Sequence, residues 1–113
     1  MAKYLIEANY IGDGLKGLLK EGGTKRRAAV EKLLTSVGGK VESFYYAFGD
    51  TDVYVVADVP DNVSAAALSL TVSASGTVAS KVRVLLTPEE VDRATKKSPS
   101  YSAPGRAARA RSR

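Results

Sequence analysis

Lys40-Val41-Glu42-Ser43-Phe44-Tyr45-Tyr46-Ala47-Phe48, then Gly49-Asp50-Thr51-Asp52, then Val53-Tyr54-Val55-Val56-Ala57-Asp58-Val59 is the stretch that decides the fold. The first run is aromatic and the second valine-rich, and both residue types suit a pleated, half-buried strand. Glycine and two aspartates between them supply turn chemistry, and so short a connection implies an antiparallel hairpin. Regular alternation puts Val41, Tyr45 and Ala47 on one face, with Phe44, Tyr46 and Phe48 on the other. Both faces of the hairpin then read as apolar. Pro60 ends the second strand.

Upstream of the hairpin, Val30, Leu33, Leu34 and Val37 recur at helical spacing from a start at Thr24, and Gly38-Gly39 supplies a left-handed stop. Gly22-Gly23 separates this helix from a shorter one carrying Leu15, Leu18 and Leu19, for which Asp13 is the expected cap. Lys3 to Tyr10 alternates as a strand, with Tyr4, Ile6 and Ala8 on one face. Downstream, Asp61 or Asn62 caps a helix from about Val63 to Ser75, with Val63, Ala66, Ala67 and Leu70 as its expected inward stripe. Gly76 closes it. Val78, Ser80, Val82, Val84 and Leu86 alternate against Ala79, Lys81, Arg83 and Leu85 in a last strand. Thr87-Pro88-Glu89-Glu90 is a capping box with proline at the first helical position, so a short helix begins there.

The order β-α-β-β-α-β is the ferredoxin-like pattern, an α+β fold. It predicts a four-stranded antiparallel sheet, two helices on one face and a short C-terminal helix. Two helices cover only one face of a sheet. The apolar hairpin therefore calls for a second sheet on the other, a homodimer in the manner of a dimeric α/β barrel. A ring-like trimer through strand edges is the alternative.

Composition narrows the chemistry. The 113 residues are 44% apolar and 26% charged, with no cysteine and no histidine. That removes disulfides, thiolate nucleophiles, the commonest metal ligand and the usual near-neutral general base. No metal and no cofactor is expected. The net charge of +5 is uneven: six of the 17 basic residues and none of the 12 acidic ones fall in 96–113. The body, 1–95, is the expected domain with a net charge of −1, and 96–113 the expected basic, disordered tail. No run of about 18 apolar residues exists, so no membrane insertion is expected. Met1-Ala2-Lys3-Tyr4-Leu5-Ile6-Glu7 turns acidic too early for a secretory leader, and the expected location is the cytoplasm.

Several runs resemble the GYD domain family: residues Gly14 to Gly23, Arg26-Arg27-Ala28-Ala29-Val30-Glu31, Gly38-Gly39-Lys40, Phe44-Tyr45-Tyr46-Ala47-Phe48-Gly49, Pro60-Asp61-Asn62 and Leu86-Thr87-Pro88-Glu89-Glu90-Val91. Together they span about residues 3–92. The resemblance implies a dimeric α/β barrel and imports no activity. Of the signature Gly-Tyr-Asp, Gly49 and Asp52 match, while Thr51 stands in the tyrosine's place, so no role of that tyrosine carries over.

Gly22-Gly23-Thr24-Lys25-Arg26-Arg27 is a candidate anion site: glycines lead into a helix start, and three cations follow. Helical spacing points Arg26 and Arg27 about 100° apart, so a single arginine is the expected contact. A solvated helix start explains the same residues. Tyr4, Phe44, Tyr45, Tyr46, Phe48 and Tyr54 are candidates to line a cavity between facing sheets, or to form an interface core. Asn9 and Tyr10 end the first strand where a pocket mouth would lie. Asp50 and Asp52 read as turn residues rather than paired carboxylates. Arg106, Arg109, Arg111 and Arg113 are candidate contacts to nucleic acid or an acidic partner.

Three function classes follow. The leading one is a non-catalytic, homo-oligomeric protein that binds a small ligand, an anion being one candidate, or serves structurally. The second is a cofactor-independent enzyme, for proton transfer or oxygenation, working in an aromatic cavity. The third is an accessory protein held on nucleic acid by its tail.

Overall fold

Alternation builds the sheet. In the computed structural model, which describes residues 1–47 and 49–105, strand β1 (Ala2–Tyr10) is followed by helices α1 (Gly14–Glu21) and α2 (Gly23–Thr35). The hairpin strands β2 (Lys40–Tyr46) and β3 (Val53–Val59) come next, then α3 (Asn62–Ala74), β4 (Val78–Leu85) and α4 (Pro88–Thr95). All pairings are antiparallel, in the order β2-β3-β1-β4, the ferredoxin-like arrangement expected. Residues 96–105 continue without helix or strand.

Register sorts the side chains into cross-strand rows. One row runs Val41, Ala57, Tyr4, Val84, the next Phe44, Val55, Ile6, Val82, and the third Tyr46, Val53, Ala8, Ser80. The buried core gathers on this face: Tyr4, Phe44, Val53, Val55, Ala57 and Val59 meet Leu34 of α2 and Ala65 and Leu68 of α3. Fully burying a side chain such as Leu34 contributes about 1.5–3 kcal/mol. The opposite face carries Leu5, Tyr45, Tyr54 and Val56 between ion pairs. There Lys3 bridges Glu42 and Asp58, and Arg83 meets Glu7 at 2.6 Å.

Three local readings need correction. Val41 was expected beside Tyr45, but a register shift between Val41 and Ser43 inserts Glu42 as an extra residue, and Val41 joins Phe44 on the helix side. Asp13 precedes α1 without a side-chain cap, its carboxylate lying instead 4.0 Å from Lys16. The inward face of α3 is the other one. Ala65 and Leu68 are buried, while Val63 is 80% and Leu70 71% exposed. Asp61, accepting from Ser64 N–H at 2.7 Å, and Asn62, accepting from the Tyr4 hydroxyl at 2.6 Å, set the rotation of this helix. The box at Thr87 and Glu90 forms as expected, with both reciprocal bonds present.

Two glycines of α1 separate backbone contact from helix propensity. A Cβ at Gly14 would lie 2.0 Å from the Thr77 carbonyl oxygen, whereas at Gly17 the nearest atom is Glu21 Oε2 at 3.9 Å. Gly17→Ala is expected to stabilise the fold by about 0.5–1 kcal/mol through propensity alone. Gly14→Ala is expected to lose about 2–3 kcal/mol despite the same propensity gain, because backbone must move. Urea unfolding of both variants checks this; midpoints shifting in the same direction would contradict it.

Candidate functional site

Between the sheet and the two long helices lies a cavity of about 130 Å³. Its floor is the second and third cross-strand rows, including Ile6, Ala8, Phe44, Val55, Ser80 and Val82, and its roof comes from Arg26, Ala29, Val30 and Leu33 of α2 with Leu68, Ser69 and Val72 of α3. The space exists because small side chains coincide: Ala8 and Ser80 are neighbours in one row, and Ala29 stands in the roof. A cavity near 150 Å³ with such walls accepts a guest of about benzene size.

One end is polar. The Tyr46 hydroxyl donates to the Gly23 carbonyl at 2.9 Å, and its ring lies so close that a Cβ on Gly23 would sit 3.0 Å from it. Phe44 supports the ring edge-on at a 5.2 Å centroid distance. Burial pushes the Tyr46 phenol up to about 12, the adjoining Tyr10 phenol adds to that, and the Arg26 guanidinium opposes it. Arg26 is the one charged residue among the described cavity walls. Its Nη1 reaches Glu21 Oε1 only at 3.5 Å, one long contact for a group with five donors. Ser80 Oγ is buried against the cavity with no hydrogen-bond partner.

The six residues of the glycine-cation stretch part company here. Thr24 and Lys25 are exposed, and Arg27 Nε faces Glu31 at 3.8 Å, away from the site. Gly22, at φ +84°, makes the break before α2, and Gly23 provides the close approach to Tyr46. Only Arg26 lines the cavity. The aromatic set divides as well. Tyr4, Phe44 and Tyr46 face the helices, whereas Tyr45 and Tyr54 are cross-strand partners on the open face, 70% and 37% exposed. Phe48 and Arg106, Arg109, Arg111 and Arg113 lie outside the described residues. The cavity is thus on the helix side of the sheet. Sequence reading missed Ala8, Ala29, Ser69, Val72 and Ser80 as walls. Extending the Val30-Leu33 stripe back by one turn would have reached Arg26.

The turn that closes the hairpin fixes Tyr10. Asp52 Oδ2 accepts from the Tyr10 backbone N–H at 3.0 Å, and the Asp52 N–H donates to Asn9 Oδ1 at 2.8 Å. Asn9 Nδ2 in turn donates to the Asp50 carbonyl at 3.0 Å. The family model of the GYD domain matches residues 4–95. The chain belongs to the GYD domain family. In this GYD domain Asp52 acts through the backbone of β1, locking the strand end that carries Tyr10. No curated protein and no solved structure matches the chain. Among the described residues no group of three or more His, Cys, Asp or Glu side chains is placed to hold a metal ion, and no helix is long and apolar enough to cross a membrane.

The Tyr46 phenol gives a pH prediction. Its folded value of about 12 stands above the ordinary 10.0, so folding favours the protonated form. That contribution is complete below pH 10 and is lost as pH climbs toward 12. Phenolate absorbance should include a step near pH 12, and Tyr46→Phe should remove that late step. A titration unchanged by the substitution would assign the late step elsewhere.

Proposed function

We propose that this GYD domain is a non-catalytic, homo-oligomeric protein that binds a small ligand in the cavity between its sheet and helices α2 and α3. The cavity itself carries the reading: apolar walls border ring-sized space, Arg26 and Tyr10 are among its few polar residues, and the Tyr46 phenol lies beside those two. Binding is favoured over proton transfer by the chemistry of those groups. A guanidinium does not deprotonate in proteins, and a phenol raised to about 12 is a poor base or acid near neutrality. With no histidine or cysteine in the chain, no other side chain at this site is suited to near-neutral proton exchange.

Self-association would use the open sheet face. Leu5, Val56, Tyr45 and Tyr54 offer its apolar surface, and Lys3, Glu42, Asp58, Glu7 and Arg83 are already paired within the face. Charges that enter an interface with partners lose less on desolvation than isolated ones. Light scattering is expected to give twice the 11.9 kDa chain mass, and Tyr54→Asp to give the single-chain mass with an intact fold. A wild-type monomer at micromolar concentration would refute the dimer.

Ser80→Val tests the cavity. It replaces an unpartnered buried hydroxyl with methyl groups and fills space, so stability is expected to rise by about 1–2 kcal/mol. Toluene, added as a probe, should shift the methyl resonances of Ile6, Val30, Leu33 and Leu68 in the wild type and bind more weakly in Ser80→Val. Toluene shifts absent from those methyls would remove the binding reading.

A further inference from the structure

We infer that the ligand of this cavity is a small monoanion with an apolar, ring-sized body, an aromatic monocarboxylic acid in chemical class, held head-first by Arg26. The inference rests on the cavity being a binding site and adds the charge and shape of its occupant. The body is set by the walls: about 130 Å³ enclosed mostly by alanine, valine, leucine, isoleucine and phenylalanine side chains suits one ring and little more. The head is set by Arg26. This residue stands on the same helical stripe as Val30 and Leu33, so its stem runs along the apolar roof while its guanidinium, with the side chain 31% exposed, sits at the polar end.

That guanidinium is under-compensated where it stands. It lies in the first turn of α2, beside Lys25 and Arg27 and near the positive end of the helix, and no acidic residue occupies that turn. Its contact to Glu21 is single, long and partly solvated. A carboxylate entering the mouth would take two parallel N–H bonds from the guanidinium, the arrangement that planar fork favours. Tyr10, whose backbone is locked by Asp52, borders the same end of the cavity. A dianion would fare worse. Apart from Asn9, Tyr10 and Arg26, the only polar side chains among the described walls are the hydroxyls of Ser69 and Ser80. Glu21 is then the competitor, a carboxylate that the ligand must displace from Arg26.

Benzoate and its neutral isostere benzamide, titrated at neutral pH into the full-length protein and followed by backbone amide and methyl shifts, decide the matter. Wild-type protein is expected to prefer benzoate by about tenfold to a hundredfold, the range of a well-made charge-assisted contact. Arg26→Gln should erase the preference by weakening benzoate far more than benzamide, since glutamine keeps part of the stem over the roof and the apolar walls are unchanged. Glu21→Gln should tighten benzoate several-fold and leave benzamide unchanged, an effect that a purely structural role for the pair would not produce. Equal affinity of the two probes in the wild type, or a preference that survives Arg26→Gln, overturns the anionic head and leaves the cavity reading standing. If neither probe nor toluene shifts the cavity methyls, the cavity reading falls and this inference with it.

Discussion

Strand β1 is hydrogen-bonded along both edges, to β3 and to β4, so the side on which each of its residues lies is fixed twice over. A slip of one residue would drive Lys3, Glu7 and Asn9 under the helices and turn Tyr4, Ile6 and Ala8 to the open face. Two of those are charged, and burying them without partners would cost more than marginal stability tolerates. The in-register alternative places Tyr4 beneath α3, where its hydroxyl meets Asn62, and Ala8 beneath the roof formed by α2. The position of the helices and the presence of the cavity both follow from that one register. Asp52 then secures the strand's end by accepting from the Tyr10 N–H.

Local chemistry was legible in the sequence where a residue acts on its own neighbours, the missing side-chain cap at Asp13 excepted. The hairpin, the element order, a cap at Asp61 or Asn62, the cap at Thr87 and the glycine stops at Gly38 and Gly76 all declared themselves, because each effect spans only a few residues. The GYD resemblance was legible for the same reason: it rests on short runs of residues. What stayed hidden depends on tertiary partners. Helix α3 is apolar nearly all round, so its periodicity admits both Val63-Ala66-Ala67-Leu70 and Ala65-Leu68-Val72 as inward faces. Only packing against β4 and β3 and the Tyr4–Asn62 bond choose between them. The bulge that moves Val41 leaves no residue-type signal, since glutamate at Glu42 is ordinary in an alternating strand.

A cavity is harder still to read, because it consists of what is missing. Ala8, Ala29 and Ser80 are unremarkable as single residues and lie on three different elements. Their coincidence appears once the β1–β4 register pairs Ala8 with Ser80 and α2 lays Ala29 above them. Filling that volume would add contacts on the order of 3 kcal/mol if it were dry and sealed, at about 24 cal/mol per Å³. Valine at position 80 would suit an alternating strand at least as well as serine. The Ser80 hydroxyl and the space beside it thus run against stability in the same place.

The glycine pair before α2 joins these threads. An anion-binding loop would have its backbone N–H groups open to solvent, but Gly23 is covered by the Tyr46 ring, and its carbonyl accepts the Tyr46 hydroxyl. Gly22 at φ +84° lets the chain turn from α1 into α2, and Gly23 without a side chain lets Tyr46, the last residue of β2, lie against the new helix. The start of α2 is thereby pinned to the end of β2. One turn along, Arg26 is carried over the cavity, while Arg27, about 100° further round, is left to Glu31 in solvent. A side chain at Gly23 would lift α2 from Tyr46 and take Arg26 with it. The glycines therefore matter through placement: they position a single cation at the rim of an otherwise apolar space.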